Sequence, residues 1–456
     1  MKKKLVTKIV SCALVSIMAI SLMACGSKSN NSNNSNSNGG GSNSNSESSK
    51  EDAKTTISLY TTIPGKDKEF EALCDEFMKA NPNITVNYIA YDSSEKQKWM
   101  TLYASGEAPT VAVMDPVDIR ENKENMLPYD SSTDTWMDKI DSAYLDVFKS
   151  DDGKIYGIPN SVQAMGILYN KTTIEKATGE KFDPSTIKST SDLAALCEKI
   201  KKGGVSPIMF TGVDWSLGSH YLSQVFTGIR GTADQQLAFI NDLKAGKVDL
   251  KKDAAWNSVM GTFDVIAKYN YNSSDPLVGN TDIDGQAMAK GDVAMWFMGD
   301  WGWSYLSKVA TADDEYGIMP CPLTADPKDA INQQLGVFPS KGYSIDASHS
   351  DAAQQAAGKK LVEYLCFGNQ QAMADLLQVA LPYKDSKVTY SSPIVQSTQS
   401  YIQNQATYST YAFSLLLPSD FWSENGAVMQ RYLVKEFDRD KAAGAIEDYW
   451  KAQNNK

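Results

Sequence analysis

Histidine is nearly missing: His220 and His349 are the only two in 456 residues. A Ser-His-Asp triad needs one of them, and neither sits in a nucleophile setting, so both read as packing or surface residues. Cysteine is sparse, with six in the chain and no C-x-x-C pair, which removes zinc-knuckle and thioredoxin-like chemistry. The signatures G-x-x-x-x-G-K-[ST] and G-x-G-x-x-G do not occur, so phosphate cradling is not indicated. Asp282-Ile283-Asp284-Gly285 begins like a calcium loop, but the closing position is Val293 rather than glutamate. It reads as a capping turn before a helix. Positive charge is in deficit, 44 Lys and Arg against 55 Asp and Glu, a net charge of −11. That sign excludes nucleic acid and anionic lipid headgroups as partners. No cofactor and no metal are expected.

The N-terminus holds the one long apolar run. Lys2, Lys3 and Lys4 precede a mostly apolar stretch at 5–20, followed by Leu22-Met23-Ala24-Cys25. The run is short for a membrane span, which needs roughly 20 apolar residues, and fits a removable export signal. The four-residue ending resembles a bacterial lipobox. Residues 1–24 are therefore expected to be a lipoprotein signal, with Cys25 as the acylated first mature residue. Removing 1–24 deletes four lysines and no acids, taking the charge from −11 to −15. Residues 25–54 are nearly all Ser, Asn and Gly after the cysteine. Such a segment has no core to bury and reads as a tether. This implies attachment to the extracytoplasmic side of the cell membrane. Cys74, Cys197, Cys321 and Cys366 each lie in apolar context and are expected to be buried free thiols rather than disulfides.

From residue 55 onward, strand and helix patterns alternate, the mark of an α/β fold. Strands are expected at 55–60, 84–91 and 110–114, with helices at 66–81 and 95–105 between them. This β-α-β-α-β run describes half of a doubly wound sheet, whose ligands bind beyond the carboxyl ends of the strands. Those ends are Thr61-Thr62 and Asp115. A strand follows at 162–170, and further helices at 172–179, 191–201, 232–245, 254–269, 352–366, 369–379 and 426–435.

Several segments then line up in order. They are Ala104-Ser-Gly-Glu-Ala-Pro109, Gly157-Ile-Pro159 with Leu168-Tyr-Asn-Lys171, Ala287-Met-Ala-Lys-Gly-Asp-Val-Ala-Met295, Gly299-Asp-Trp-Gly-Trp303, and Gly317-Ile-Met-Pro320 followed by Pro322. Each is weak alone. Their order and spacing resemble the extracellular solute-binding proteins of carbohydrate ABC transporters, the group that includes maltose-binding protein. The resemblance implies a type II, two-lobed periplasmic-binding-protein fold with hinge crossovers. It places an N-terminal lobe at 55–162 and 336–379 and a C-terminal lobe at 163–335 and 380–456. It implies a monomer that takes a sugar between its lobes and hands it to ABC permease subunits.

A sugar ring offers C–H faces and a rim of hydroxyls, so a binding site needs flat aromatics and planar polar groups. Trp301 and Trp303 stand where the family stacks an indole after the "AM" strand, with Trp301 in the stacking position; the competing reading is core packing. Asp214 and Trp215 follow a strand at 207–210 and match a family loop with an acid and an aromatic. Trp422 stands before a helix, where the family often supplies a second-lobe wall. Gln163 lies on the first crossing strand, where the family commonly places an amide or carboxylate. Asp115, Thr61 and Thr62 end first-lobe strands, where turn chemistry alone also favours them. Two other functions compete. A surface glycoside hydrolase would use a carboxylate pair. A binder of polyamines or amino acids would need a charge clamp, for which Arg120 and Arg230 are the candidates.

Overall fold

The computed structural model describes residues 54–90, 95–384 and 386–454. The export signal, Cys25 and the tether as far as residue 53 lie outside these residues. The strands are β1 (Thr55–Tyr60), β2 (Ile84–Ile89), β3 (Val111–Met114), β4 (Ile158–Pro159), β5 (Val162–Asn170), β6 (Ser206–Met209), β7 (Val293–Gly299), β8 (Tyr316–Met319), β9 (Leu335–Pro339), β10 (Gly342–Ile345) and β11 (Thr407–Ser409). No helix among the described residues is long and apolar enough to cross a membrane.

The strands form two sheets, each with its own core. The first has the order β2-β1-β3-β10-β4. β1 pairs in parallel with β2 and β3, and β10 runs antiparallel to β3. Helix Asp67–Ala80 buries Phe70, Leu73, Cys74 and Phe77. Their spacing of three, four and seven puts them on one stripe facing the sheet. The second sheet has the order β11-β9-β5-β7-β6, with β8 also paired to β5. Its core is ring-rich, with Phe210, Tyr221, Phe263, Phe297 and Trp450 all buried. The four described cysteines are buried free thiols, as expected. Burial pushes the thiols of Cys74, Cys197 and Cys366 up to about 12, so they are unreactive near neutrality.

Three stretches carry the chain between the sheets. The first is 160–161, between β4 and β5. The second is Ser340-Lys341, between β9 and β10. Residues 336–339, expected in the first lobe, belong to the second: β9 pairs antiparallel with β5 from Met165↔Gly336 to Val162↔Pro339. The third return was expected at 380. Yet Leu381 and Tyr383 are buried in the first core, and Tyr383 bridges to Ile140. Ala380 accepts from the Val162 N–H at 2.7 Å, so it flanks the crossing strand without leaving its lobe. The return is complete by helix Pro393–Gln403, where Ser397 Oγ donates to the Ile318 carbonyl of β8 at 3.1 Å.

Two helices differ from the sequence expectation. Helix Phe421–Leu433 starts five residues before the expected 426, so Trp422 sits in its first turn. Asp282 and Asp284 lie inside helix Thr281–Ala289 rather than in a turn before it, and Asn280 caps that helix.

Candidate functional site

The second lobe gathers aromatic rings at the end of its sheet nearest the crossings. β7 ends at Gly299, opposite Met165 of β5, and the chain turns through Asp300 to Trp301. A methyl group at Gly299 would overlap the Trp301 ring, so only glycine lets the indole fold back over the strand end. The ring then meets His220 at 5.1 Å and Phe338 of β9 at 6.3 Å, centroid to centroid. His220 also meets Trp215 at 5.0 Å and Phe413 at 6.1 Å, and Phe413 meets Phe338 at 4.7 Å. Trp215, Trp301 and Phe413 remain partly exposed. Burial among the rings pushes His220 down to about 3, so it is neutral at every physiological pH and serves as packing.

Beneath this cluster the polypeptide is fixed by polar contacts. Asp214 Oδ1 accepts from the Trp215 N–H at 2.8 Å and caps the π-helical turn Trp215–Tyr221. That turn packs against helix Phe421–Leu433 through Gly218 and Gly426, whose backbones approach so closely that a Cβ on either would collide. Thr211 Oγ1, just after β6, donates to buried Asp284 at 2.8 Å and accepts from Trp296 Nε1 at 3.1 Å. Asp300 is wholly buried and accepts from Thr398 Oγ1 at 3.1 Å. Burial pushes its carboxyl up to about 7 despite backbone N–H donors at Ala164 and Trp301, and pushes Asp284 up to about 6.

The first lobe offers a cavity of about 230 Å³ at the carboxyl ends of β1 and β3. Its walls are Thr62, Trp99, Met100, Met114, Asp115, Asp118, Glu121 and Asn122. Asp115 accepts from Lys341 Nζ at 3.0 Å, so the second crossing is tied to the rim of this cavity. The segment Ala412–Leu416 touches both regions: Phe413 joins the ring cluster, while Leu415 is buried with Trp99, Met114 and Ile119 of the first lobe.

The nine residues singled out from the sequence therefore separate into groups. Trp301 and Trp215 enter the ring cluster, with Asp214 at its base. Gln163 pairs with Phe338 across the ladder, so their side chains share one surface of the sheet. Thr62 and Asp115 line the first-lobe cavity, although Thr62 Oγ1 already donates to the Val113 carbonyl at 2.9 Å. Three fall elsewhere. Thr61 is fully buried and donates to Tyr88 Oη at 2.8 Å, while Tyr88 donates to Asp67 at 2.9 Å, so its hydroxyl fixes the strand end. Trp303 turns back onto Tyr316 at 5.6 Å. Trp422 is 43% exposed on its helix. Arg230, a candidate clamp for an amino acid, is committed to Asp253 through two bonds of 2.8 and 2.7 Å and lies over Phe239. Among the described residues no group of His, Cys, Asp or Glu could hold a metal ion.

The sequence reading missed Trp99, Phe338, Phe413 and Lys341. Phe338 precedes Pro339 at the start of the expected return to the first lobe, and that position is a usable signal. Trp99 sits mid-helix between Lys98 and Met100, where only the folded cavity sets it apart from an ordinary core residue.

Two α/β lobes joined by several crossings, with rings on one and a carboxylate-lined cavity on the other, define a two-lobed binding protein. The chain belongs to the bacterial extracellular solute-binding proteins, whose family model matches residues 72–397. It is 26% identical over 401 residues to an uncharacterised ABC-transporter extracellular-binding protein of Pyrococcus horikoshii, covering 84% of each chain. It is 29% identical over 213 residues to the multiple sugar-binding protein of Streptococcus mutans, covering 45% of this chain and 49% of that one. Its fold matches RafE of Streptococcus pneumoniae, solved in the apo form and RafE in complex with raffinose. The TM-score is 0.71 for both, with identities of 18% and 17%, covering 88% of this chain and 98% and 99% of theirs.

Proposed function

We propose that this protein captures a saccharide between its lobes and delivers it to the permease of an ABC importer. The observation that carries the reading is the ring cluster of Trp215, Trp301, Phe338 and Phe413, joined through Lys341 and Leu415 to a cavity bearing carboxylates. Indole faces suit sugar C–H surfaces, and carboxylates accept strong charge-assisted bonds from hydroxyls. The kinship with a multiple sugar-binding protein supports the same ligand class. The commitment of Arg230 to Asp253 weighs against an amino-acid clamp.

Ligand favours the closed arrangement only through its higher affinity for it, and the permease reads the closed form. The protein acts as a monomer without catalysing a reaction, held by lipid on Cys25 at the extracytoplasmic side of the cell membrane. A thermal-shift panel of neutral saccharides, polyamines and amino acids tests the ligand class. A saccharide should raise the melting temperature in proportion to RT ln(1 + [L]/Kd). A shift from an amino acid or polyamine alone would sink the proposal. Released reducing ends during incubation would mark a glycoside hydrolase instead. Fatty-acid labelling in the producing cell, lost in Cys25→Ser, checks the anchor.

A further inference from the structure

We infer that Asp300 is a positioning residue for saccharide capture, an assignment that rests on the saccharide reading above. Its buried carboxylate holds the Gly299–Trp301 turn against the crossing strand β5 and helix Pro393–Gln403, and so sets the seat of the Trp301 ring. Ladder pairing between β5 and β7 stops at Met165↔Gly299. Beyond that pair, β5 is covered by other groups. Val162 donates its N–H to the Ala380 carbonyl at 2.7 Å, and the Ala164 N–H faces the Asp300 carboxyl. The N–H of Trp301 faces the same carboxyl. It lies in the short helical stretch Asp300–Gly302, in a first turn where backbone donors lack an intrahelical acceptor. From helix Pro393–Gln403, Thr398 Oγ1 donates to Asp300 Oδ2 at 3.1 Å. From the segment that returns the chain to the second lobe, Tyr390 stands near, and burial together with the Asp300 charge pushes its phenol up.

A neutral side chain would fill this place at lower cost, because a buried carboxylate is expensive unless its acceptors are filled. Asp300 and Thr398 are both fully buried. Asp300 Oδ1 has no hydrogen-bond partner among the described residues, so the carboxylate has acceptor capacity left for the N–H groups around it. Burial pushes the carboxyl up to about 7, so its charge changes near neutrality. When ionised, it draws the Trp301 and Ala164 N–H groups and the Thr398 hydroxyl onto itself through charge-assisted bonds, roughly twice as strong as neutral ones. Turn, strand and helix then hold as one piece, and the ring is pre-set for its ligand. When protonated, the carboxyl accepts weakly and the turn is looser. Saccharide therefore binds the ionised form better, and by reciprocity its binding expels the proton.

The test is calorimetry on the full exported domain with raffinose, maltotriose and mannobiose, the tightest binder then serving throughout. Wild-type affinity should rise about threefold to tenfold from about pH 6 to about pH 8. Asp300→Asn keeps the shape and cannot ionise, so its profile should be flat and its affinity no better than the weak end of wild-type. At pH near 7, binding to wild-type should release part of a proton, read as a heat that changes with the ionisation enthalpy of the buffer. In a Trp301→Ala background, Asp300→Asn should cost nothing further, because the carboxylate acts through the ring. A pH slope shared by wild-type and Asp300→Asn, or a further loss beyond about threefold in the Trp301→Ala background, overturns the positioning role while leaving the saccharide reading intact. If Asp300→Asn does not fold, Thr398→Val decides. It removes a donor to the ionised form, so the midpoint of the affinity profile should move to higher pH, and an unmoved midpoint overturns the role. Failure of wild-type to bind any saccharide removes the saccharide reading, and the positioning role with it.

Discussion

The two lobes offer opposite chemistry to whatever lies between them. The first presents carboxylates around a small cavity, with a single indole among them. The second presents rings, with Asp214 and Gln163 at their base and edge. Rings give area without direction, and carboxylates give direction without much area. A ligand touching only one lobe gains only one of these, so the division itself favours a ligand that engages both.

The division of labour between the lobes is most sensitive to Trp301. Trp301→Ala should weaken saccharide binding about 30-fold or more, because truncating a buried aromatic anchor costs about 2 kcal/mol or above. Trp303→Phe, two residues on and packed on Tyr316, should leave affinity within about twofold. Equal losses in the two variants by calorimetry would mean that the ring cluster has been assigned wrongly. On the first lobe, Asp115→Asn should cost about tenfold in affinity, the scale of one charge-assisted bond. Its effect on stability should stay under about 1 kcal/mol, since Asp115 is 43% exposed beside Lys341 and water screens the pair. A large loss of stability with unchanged affinity would make Asp115 a hinge brace instead.

The smallest effect concerns pH. The buried Asp300 carboxyl titrates near 7 in the folded protein, against an ordinary value of 3.8 when unfolded. The folded state therefore binds the extra proton between these values. Stability is fully present below about 4, falls as pH rises toward 7, and levels off above. The melting temperature of Asp300→Asn should fall less steeply than that of wild-type between pH 4 and 7. Parallel slopes would show that this carboxyl is solvated.

Much of the fold was legible in the residues. Strand β5 occupies the expected 162–170 because an apolar run bounded by Asn160-Ser161 and a helix has few alternatives. The errors have physical causes. Gly426 looked like a helix start, since glycine is a poor helix residue, but it lies inside helix Phe421–Leu433 because Gly218 packs against it. Residues 336–339 were given to the wrong lobe because the pairing of β9 with β5 is a long-range contact without a local signature. The family resemblance set Trp301 in the stacking position, and crowding against Gly299 accounts for how its ring lies over the strand end. Trp303 shares that motif, and spacing alone does not separate the two indoles: only the resemblance put Trp301 ahead. Trp99 was invisible because helical spacing marks a residue as buried without saying what it is buried beside.

Leu415 links the two lobes. It belongs to a second-lobe segment, yet its side chain is sealed among first-lobe residues. Prying the halves apart would wet that side chain, at about 1.5–3 kcal/mol for a leucine. The contact therefore ties the Ala412–Leu416 segment to the first lobe without any ligand. Leu415→Ala should then slacken the empty protein, seen as a larger radius of gyration in small-angle scattering, whereas an unchanged radius would mean that this leucine holds nothing together.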